Sequence, residues 1–139
     1  MQLDQALVNA AIDLLEKRFP ATKGAAAALY VEDGTMLVSV FFQPRLGSAG
    51  LCAETGAICE AHKLSKRVTA SVCVARLSGA DPILVMTPCG ICQERLFYWG
   101  EQVEVATPDP VNATHWVAKT LKQVQPDYWV NAYNDRPIR

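Results

Sequence analysis

Two short cysteine motifs, at residues 52–54 and 88–92, constrain this chain more than any other feature of its sequence. They read Cys-Ala-Glu and Pro-Cys-Gly-Ile-Cys. Three thiolates on a tetrahedral zinc ion leave one position open, and an open position distinguishes a catalytic zinc from a structural one. We therefore expect Cys52, Cys89 and Cys92 to bind one zinc ion, so any fold of this chain must bring the two distant motifs together.

The carboxyl of Glu54 stands two positions after the first predicted ligand, so it can lie beside the metal without binding it. A carboxyl in that place can move protons between a water molecule and a substrate. A purely structural zinc would need a fourth ligand. We interpret Cys59 and Cys73, the two spare thiols, as core residues, and His62 and His115 as surface or packing residues.

The apolar pattern of the chain predicts strands that alternate with helices. Helices are predicted over residues 3–19, 51–64, 89–99 and 113–124, and strands over residues 25–31, 36–42, 68–77, 83–86 and 103–106. The first two strands flank a Glu-Asp-Gly turn, which is typical of a β-hairpin. Such alternation predicts an α/β sandwich around a mixed sheet. Both cysteine motifs fall at helix starts, where partial positive charge favours thiolates.

The bulk composition is that of one compact domain, residues 1–139. Hydrophobic residues make up 50% of the 139 residues and charged residues 19%, which argues against disorder. The net charge is -1, so no basic surplus favours nucleic acid as a partner. No run of about 20 apolar residues predicts a membrane span, and no targeting signal is visible. Five cysteines with metal-type spacing indicate a reduced, cytoplasmic protein.

The order and spacing of the two motifs match the general signature of zinc-dependent base deaminases. On residues 52–54, 57–58 and 87–92 the chain resembles the cytidine deaminase family, in its small, three-cysteine, tetrameric branch. The resemblance implies a three-layer α/β/α sandwich around a five-stranded mixed sheet. It also implies zinc held by Cys52, Cys89 and Cys92, Glu54 as the catalytic acid and base, a small-molecule substrate and a homotetramer.

The chain departs from the usual pattern of that family at several positions near the motifs. Phe41 and Gln43 stand where most members carry the Asn and Glu that hold ribose. Thr55 stands where most three-cysteine members carry an Arg that offsets the charge of the thiolates, and Arg95 could replace it. Blasticidin S deaminases also lack that Arg. Plain cytidine is therefore not the obvious substrate.

Five residues are predicted to contact the substrate. We expect Phe41 and Gln43 to line the pocket, and backbone groups near Ala53 and Thr87 to orient the base. The resemblance also suggests that the C-terminal segment of one subunit closes the pocket of its neighbour. Trp129 is the residue we expect there, because a large flat ring can stack on a base.

These observations together predict a zinc-dependent aminohydrolase that releases ammonia from a cytidine-like nucleoside or a related amino-substituted heterocycle. One alternative is a deaminase of a modified nucleoside or of a nucleoside antibiotic such as blasticidin S. A second alternative, of a different class, is a non-catalytic zinc module that supports an oligomer.

Overall fold

The computed structural model describes residues 2–133. Its helices are α1 (Gln5–Arg18), α2 (Thr55–Lys63), α3 (Gly90–Leu96) and α4 (Leu121–Val124). Its strands are β1 (Gly24–Val31), β2 (Met36–Val40), β3 (Val68–Arg76), β4 (Leu84–Met86), β5 (Glu104–Pro108) and β6 (Trp116–Thr120). No helix within residues 2–133 is long and apolar enough to cross a membrane.

All of the strands belong to one mixed sheet. The strand order is β2-β1-β3-β5-β6, and β4 pairs with β3 beside that path. The predicted hairpin is present, because β1 and β2 pair antiparallel with Tyr30 opposite Met36. β3 is antiparallel to β1 and parallel to β5. The predicted fold class, an α/β protein with a mixed sheet, is confirmed.

Helices cover both faces of the sheet, which gives three layers with two apolar cores. On one face α1 buries Leu7, Ala11 and Leu15 against a set of small and branched residues, which includes Ala26, Ala28, Val72 and Val74. On the other face, Ala57 and Ile58 of α2 and Leu96 of α3 form a second buried cluster with strand residues such as Leu29 and Val105. Successive residues of a strand point to opposite faces, so β1 and β3 supply both cores.

The start of α1 is fixed by a capping residue that also contacts the sheet. The carboxylate of Asp4 accepts a hydrogen bond of 2.9 Å from the backbone N–H of Leu7, which is an N-cap contact. The same carboxylate accepts a hydrogen bond of 2.9 Å from the hydroxyl of Tyr30 in β1. Asp4 therefore links the first turn of α1 to β1.

The sheet has six strands within residues 2–133, whereas five were predicted. The sixth, β6, occupies the middle of the segment that was predicted as a helix over residues 113–124. Trp116, Val117 and Thr120 are aromatic or β-branched residues, which favour a strand. Thr120 then forms a capping box with Gln123, so a helix begins only at Leu121.

Candidate metal centre and active site

The structure brings the three predicted thiols together. The Sγ atoms of Cys52, Cys89 and Cys92 all lie within 4.8 Å of one another. Those of Cys52 and Cys89 are 3.2 Å apart, which is far beyond a disulfide bond. Sulfurs bound about 2.3 Å from a tetrahedral zinc ion stand roughly 3.8 Å apart. The donor set and its spacing therefore fit one zinc ion with a fourth position left free.

Two helix starts hold these thiols in place. Cys52 comes two residues before the N-cap of α2, and Cys89 is the N-cap residue of α3. Cys92 lies in the first turn of α3 and is fully buried. The backbone N–H of Gln93 donates to the carbonyl of Cys89 at 2.8 Å, which closes that turn. The short Pro-Cys-Gly-Ile-Cys segment thus places two sulfurs on the same side of one helix end.

The pKa values of the three thiols are shifted in different directions. Burial raises the pKa of the Cys92 thiol, and the negative charge of Glu54 raises it further. Burial also raises the pKa of the Cys52 thiol, together with its hydrogen bond to Cys89. Burial acts in the same sense on Cys89, but hydrogen bonds from the N–H groups of Cys92 and Ile91 hold its thiol pKa below the usual value. Cys89 is therefore the thiol best prepared to bind a cation as a thiolate.

The Glu54 carboxyl lies at the edge of the cluster. Its Oε2 atom is 3.5 Å from the Sγ of Cys92, and the residue is only 3% exposed. Burial raises the pKa of the carboxyl, because it disfavours the charged form. Glu54 is the N-cap residue of α2, but its side chain makes no capping hydrogen bond. The carboxyl lines the adjoining cavity, so it can exchange a proton with a group that enters there.

A fourth thiol in this region was not predicted. Cys73 lies in the middle of β3, lines the same cavity as Glu54 and hydrogen-bonds with its carboxyl. The interpretation of Cys73 as a plain core residue is therefore wrong, and so is that of Cys59, whose side chain is exposed on α2. Ala70, Val72 and Val74 face the α1 core, so the alternation of β3 places Cys73 on the opposite face, towards α2. The alternation of β3 could have identified Cys73 from the sequence, but only if the face of the sheet that carries the site had been known.

The first turn of α2 is anchored to β2 by a serine that sequence reasoning also missed. The Ser39 hydroxyl accepts a hydrogen bond of 3.0 Å from the N–H of Ala57 and donates to the carbonyl of Ala53. A Cβ atom at Gly56 would stand 2.9 Å from the Cβ of Ser39. The close approach of helix and strand therefore depends on Gly56, and it sets the position of Glu54.

Arg95 links the two helices that carry the cluster. Its Nη1 atom donates a hydrogen bond of 2.7 Å to the hydroxyl of Thr55, the residue directly after Glu54. The positive charge of Arg95 acts on the Glu54 carboxyl in the direction that lowers its pKa, against the larger effect of burial. The suggestion that Arg95 replaces the missing family arginine stays a prediction, although the cation does lie beside the cluster's helices.

A cavity of about 450 Å³ opens beside the cluster. Four of the predicted substrate-binding residues line it, namely Phe41, Gln43, Ala53 and Thr87. Trp129 does not line this cavity; its Nε1 atom donates to the carboxylate of Glu94 at 3.1 Å, and its side chain is 51% exposed. The expected role of Trp129 lies in a neighbouring subunit's pocket, so it stays a prediction.

A mixed sheet between helices, with three thiols and a buried carboxyl at two helix starts, defines the class of cytidine deaminase-like α/β proteins. The crystal structure of the cytidine deaminase from Bacillus anthracis is 46% identical, with a TM-score of 0.88 over 94% of this chain and 92% of that chain. The chain therefore belongs to the cytidine deaminase family.

More distant solved structures share the fold. The cytidine deaminase from Mycobacterium leprae is 22% identical, with a TM-score of 0.70 over 91% of this chain and 100% of that chain. The enzyme from Mycobacterium tuberculosis is 24% identical, with a TM-score of 0.68 over 91% of this chain and 97% of that chain. A scan against protein-family models and a search of curated proteins gave no match.

Proposed function

We propose that this protein is a zinc-dependent hydrolytic deaminase of a cytidine-like nucleoside or a related amino-substituted heterocycle, and that it releases ammonia. One observation carries the proposal: the thiols of Cys52, Cys89 and Cys92 converge beside the buried Glu54 carboxyl at the wall of a cavity. A non-catalytic zinc module would have no need of a buried carboxyl that points to the same cavity as the ligands.

Zinc is the metal that the donor set fits, because three thiolates with tetrahedral spacing are soft ligands. Cys52, Cys89 and Cys92 would hold it. When bound, the ion would act as a Lewis acid that makes a water molecule nucleophilic near neutral pH. The N–H groups of Ile91 and Cys92 stabilise the Cys89 thiolate as a ligand.

We propose that the Glu54 carboxyl transfers the protons. In the proposed reaction its carboxylate takes one proton from the attacking water and delivers it from Oε2 to the ring nitrogen. The oxygen bonds to the neighbouring amine-bearing carbon. The carboxyl then passes the second proton of the same water to the amine, the carbon–nitrogen bond breaks, and ammonia leaves. The ring keeps a carbonyl and an N–H group, so the atoms of water and substrate are all accounted for.

The cavity walls hold the ring during this transfer. Ala53 directly follows Cys52 and Thr87 comes two positions before Cys89, and both residues line the cavity. We propose that their backbone groups hydrogen-bond the edge of the ring and aim its amine-bearing carbon at the cluster. Pre-organised backbone groups of this kind need no rearrangement during reaction.

We also propose that the chain assembles as a homotetramer in the cytoplasm. Several large apolar side chains are well exposed on the single chain, among them Leu46 at 70%, Ile91 at 60% and Tyr98 at 70%. Contact with another subunit at these side chains would remove their apolar surface from water, which is favourable. Such an assembly would also allow the C-terminal segment with Trp129 to reach a neighbouring cavity.

Replacement of Glu54 tests the proposal directly. Glu54→Gln keeps the shape of the side chain and removes its acid/base function, so we expect kcat for ammonia release to fall about 10²- to 10⁴-fold with zinc content unchanged. Glu60→Gln is the matched control, because Glu60 lies on the same helix and is exposed. Ammonia would be measured on the zinc-loaded protein with cytidine, deoxycytidine, cytosine and blasticidin S.

Two outcomes would contradict the proposal. Equal turnover by the Glu54→Gln and Glu60→Gln proteins would remove Glu54 from the chemistry. Release of no ammonia from a broad panel of amino-pyrimidines and amino-purines by the zinc-loaded parent would favour the non-catalytic zinc module.

A further inference from the structure

Apart from the cysteine cluster, Glu54 and Cys73, most of the cavity lining is apolar. Within residues 2–133, its lining side chains other than the cluster, Glu54 and Cys73 are mostly hydrocarbon: Ala25, Phe41, Phe42, Leu51, Ala75 and Met86. Gln43 and Thr87 are the polar side chains among the remaining described lining residues, and no charged side chain other than Glu54 is among them.

Phe41 forms a fixed part of this wall. Its ring packs on the ring of Phe19 with centroids 5.1 Å apart, and the guanidinium of Arg18 lies 4.7 Å from the centroid of Phe19. The backbone N–H of Phe41 donates to the carbonyl of Ala25 at 3.1 Å. Since its backbone and its ring are both held in place, Phe41 keeps an apolar ring in this part of the cavity wall.

The loop over the cavity is closed by a backbone pair. The N–H of Phe42 donates to the carbonyl of Leu51 at 3.0 Å, and the N–H of Leu51 donates back at 2.8 Å. Gly47 and Gly50 contribute backbone alone to the lining. The side-chain polar groups that this loop presents to a ligand are therefore limited to the amide of Gln43.

A polyhydroxylated sugar is poorly matched to this surface. Each hydroxyl that enters a pocket gives up hydrogen bonds to water and needs a partner in return. A pentose carries several hydroxyls, whereas this wall, within residues 2–133 of one chain, offers one amide and one hydroxyl side chain. An apolar substituent has no such requirement, and its burial against Phe41 and Met86 is favourable.

We propose that the cavity accepts an amino-substituted heterocycle whose ring nitrogen carries an apolar substituent in place of a sugar. This inference rests on the proposed function, because the cysteine cluster and Glu54 fix where the reacting amine lies. The apolar wall of Phe41, Leu51 and Met86 then receives the substituent, and the fixed ring of Phe41 determines the preference.

The test compares two substrates that differ only in this substituent, 1-butylcytosine and cytidine, with the zinc-loaded protein. We expect kcat/KM for ammonia release to be at least tenfold higher for 1-butylcytosine. Binding of 1-butyluracil and uridine is measured by calorimetry in parallel, because it does not depend on turnover. Phe41→Asn should lower the butyl-over-ribosyl preference at least fivefold in both measurements, whereas Phe41→Leu, which keeps an apolar wall, should retain it.

The outcomes separate this inference from the proposed function. Preferential binding of 1-butyluracil with the predicted effect of Phe41→Asn supports the inference even if no ammonia is released, in which case only the proposed function fails. An equal or stronger preference for cytidine and uridine overturns the inference while the proposed function stands. Failure of both uracil compounds to bind also overturns it.

Discussion

The Glu54 carboxyl is held between two thiols of different kinds. Cys92, a proposed metal ligand, contacts it from α3, and Cys73 contacts it from β3. The Cys73 thiol is buried, and burial raises its pKa well above the usual value, so it stays protonated and can donate to the carboxylate. Such a donor fixes which way the carboxyl points without taking part in the reaction.

Removal of this donor should weaken catalysis without removal of the metal. We expect Cys73→Ala to lower kcat about tenfold, since a hydrogen bond to a charged group is lost, while KM and zinc content change little. Cys73→Ser, which retains a donor, should recover most of the activity. Cys59→Ala is the control, because Cys59 is exposed on α2. Full activity of Cys73→Ala would show that Cys73 does not position Glu54.

At the scale of residues, the sequence predicted the groups that belong to the motifs and missed those that the sheet supplies. Cys52, Cys89 and Cys92 could be predicted because their short spacings place ligands at helix starts. Cys73 and Ser39 could not, because their roles depend on strand register, which brings β2 and β3 against the start of α2.

At Gly56, helix α2 lies so close to β2 that there is no room for a side chain on this residue. A methyl group there would stand 2.9 Å from the Cβ of Ser39, so Gly56→Ala should push the helix away and weaken the bond from Ala57 to Ser39. We expect a loss of about 1–3 kcal/mol in the free energy of unfolding, measured with urea on the zinc-loaded protein.

The control for that measurement is Gly47→Ala. A Cβ atom at Gly47 meets nothing within 4 Å, so the change in unfolding free energy should stay within about 0.5 kcal/mol. If the two alanine variants were equally stable, the close approach of α2 to β2 would not contribute to the free energy of unfolding.

The contact between α1 and β1 predicts a loss of stability at alkaline pH. Burial raises the pKa of the Tyr30 phenol, and its hydrogen bond to Asp4 raises it further. The unfolded chain therefore loses this proton first, near pH 10, and the contribution of the contact is full below that pH and declines above it. Tyr30→Phe should cost roughly 1 kcal/mol at pH 7 through the lost hydrogen bond.

The measurement is the free energy of unfolding of parent and Tyr30→Phe proteins between about pH 8 and 11. The advantage of the parent should shrink as the pH passes about 10. A difference between the two proteins that stays constant over that range would contradict the assignment.

At the scale of elements, periodicity predicted the helices and strands that have one clear apolar face, and α1 and the β1–β2 hairpin are examples. It failed for residues 113–124, where Val117, Ala118 and Leu121 fit a helical spacing by chance. Pairing of Val105 with Lys119 and of Ala106 with Ala118 decides in favour of a strand. Such pairing is a long-range contact, which a local pattern does not contain.

Across the whole molecule, the cysteine cluster joins parts of the fold that are far apart in sequence. Cys52 precedes α2, whereas Cys89 and Cys92 belong to the start of α3, beyond β3 and β4. Burial leaves the Cys52 and Cys92 thiols with raised pKa values, so a cation that converts them to thiolates links folding to metal binding. The central claim is therefore that one zinc ion holds these two helix starts together beside Glu54.

The most direct test of that claim is the zinc content and sulfur coordination of the purified protein, by elemental analysis and X-ray absorption spectroscopy. We expect about one zinc ion per chain, with three sulfur ligands at about 2.3 Å. Cys92→Ser should lose most of the zinc, and Cys59→Ser, which changes an exposed thiol, should keep it. A parent protein without zinc, or a Cys92→Ser protein with full zinc content, would show that these three thiols do not hold a zinc ion.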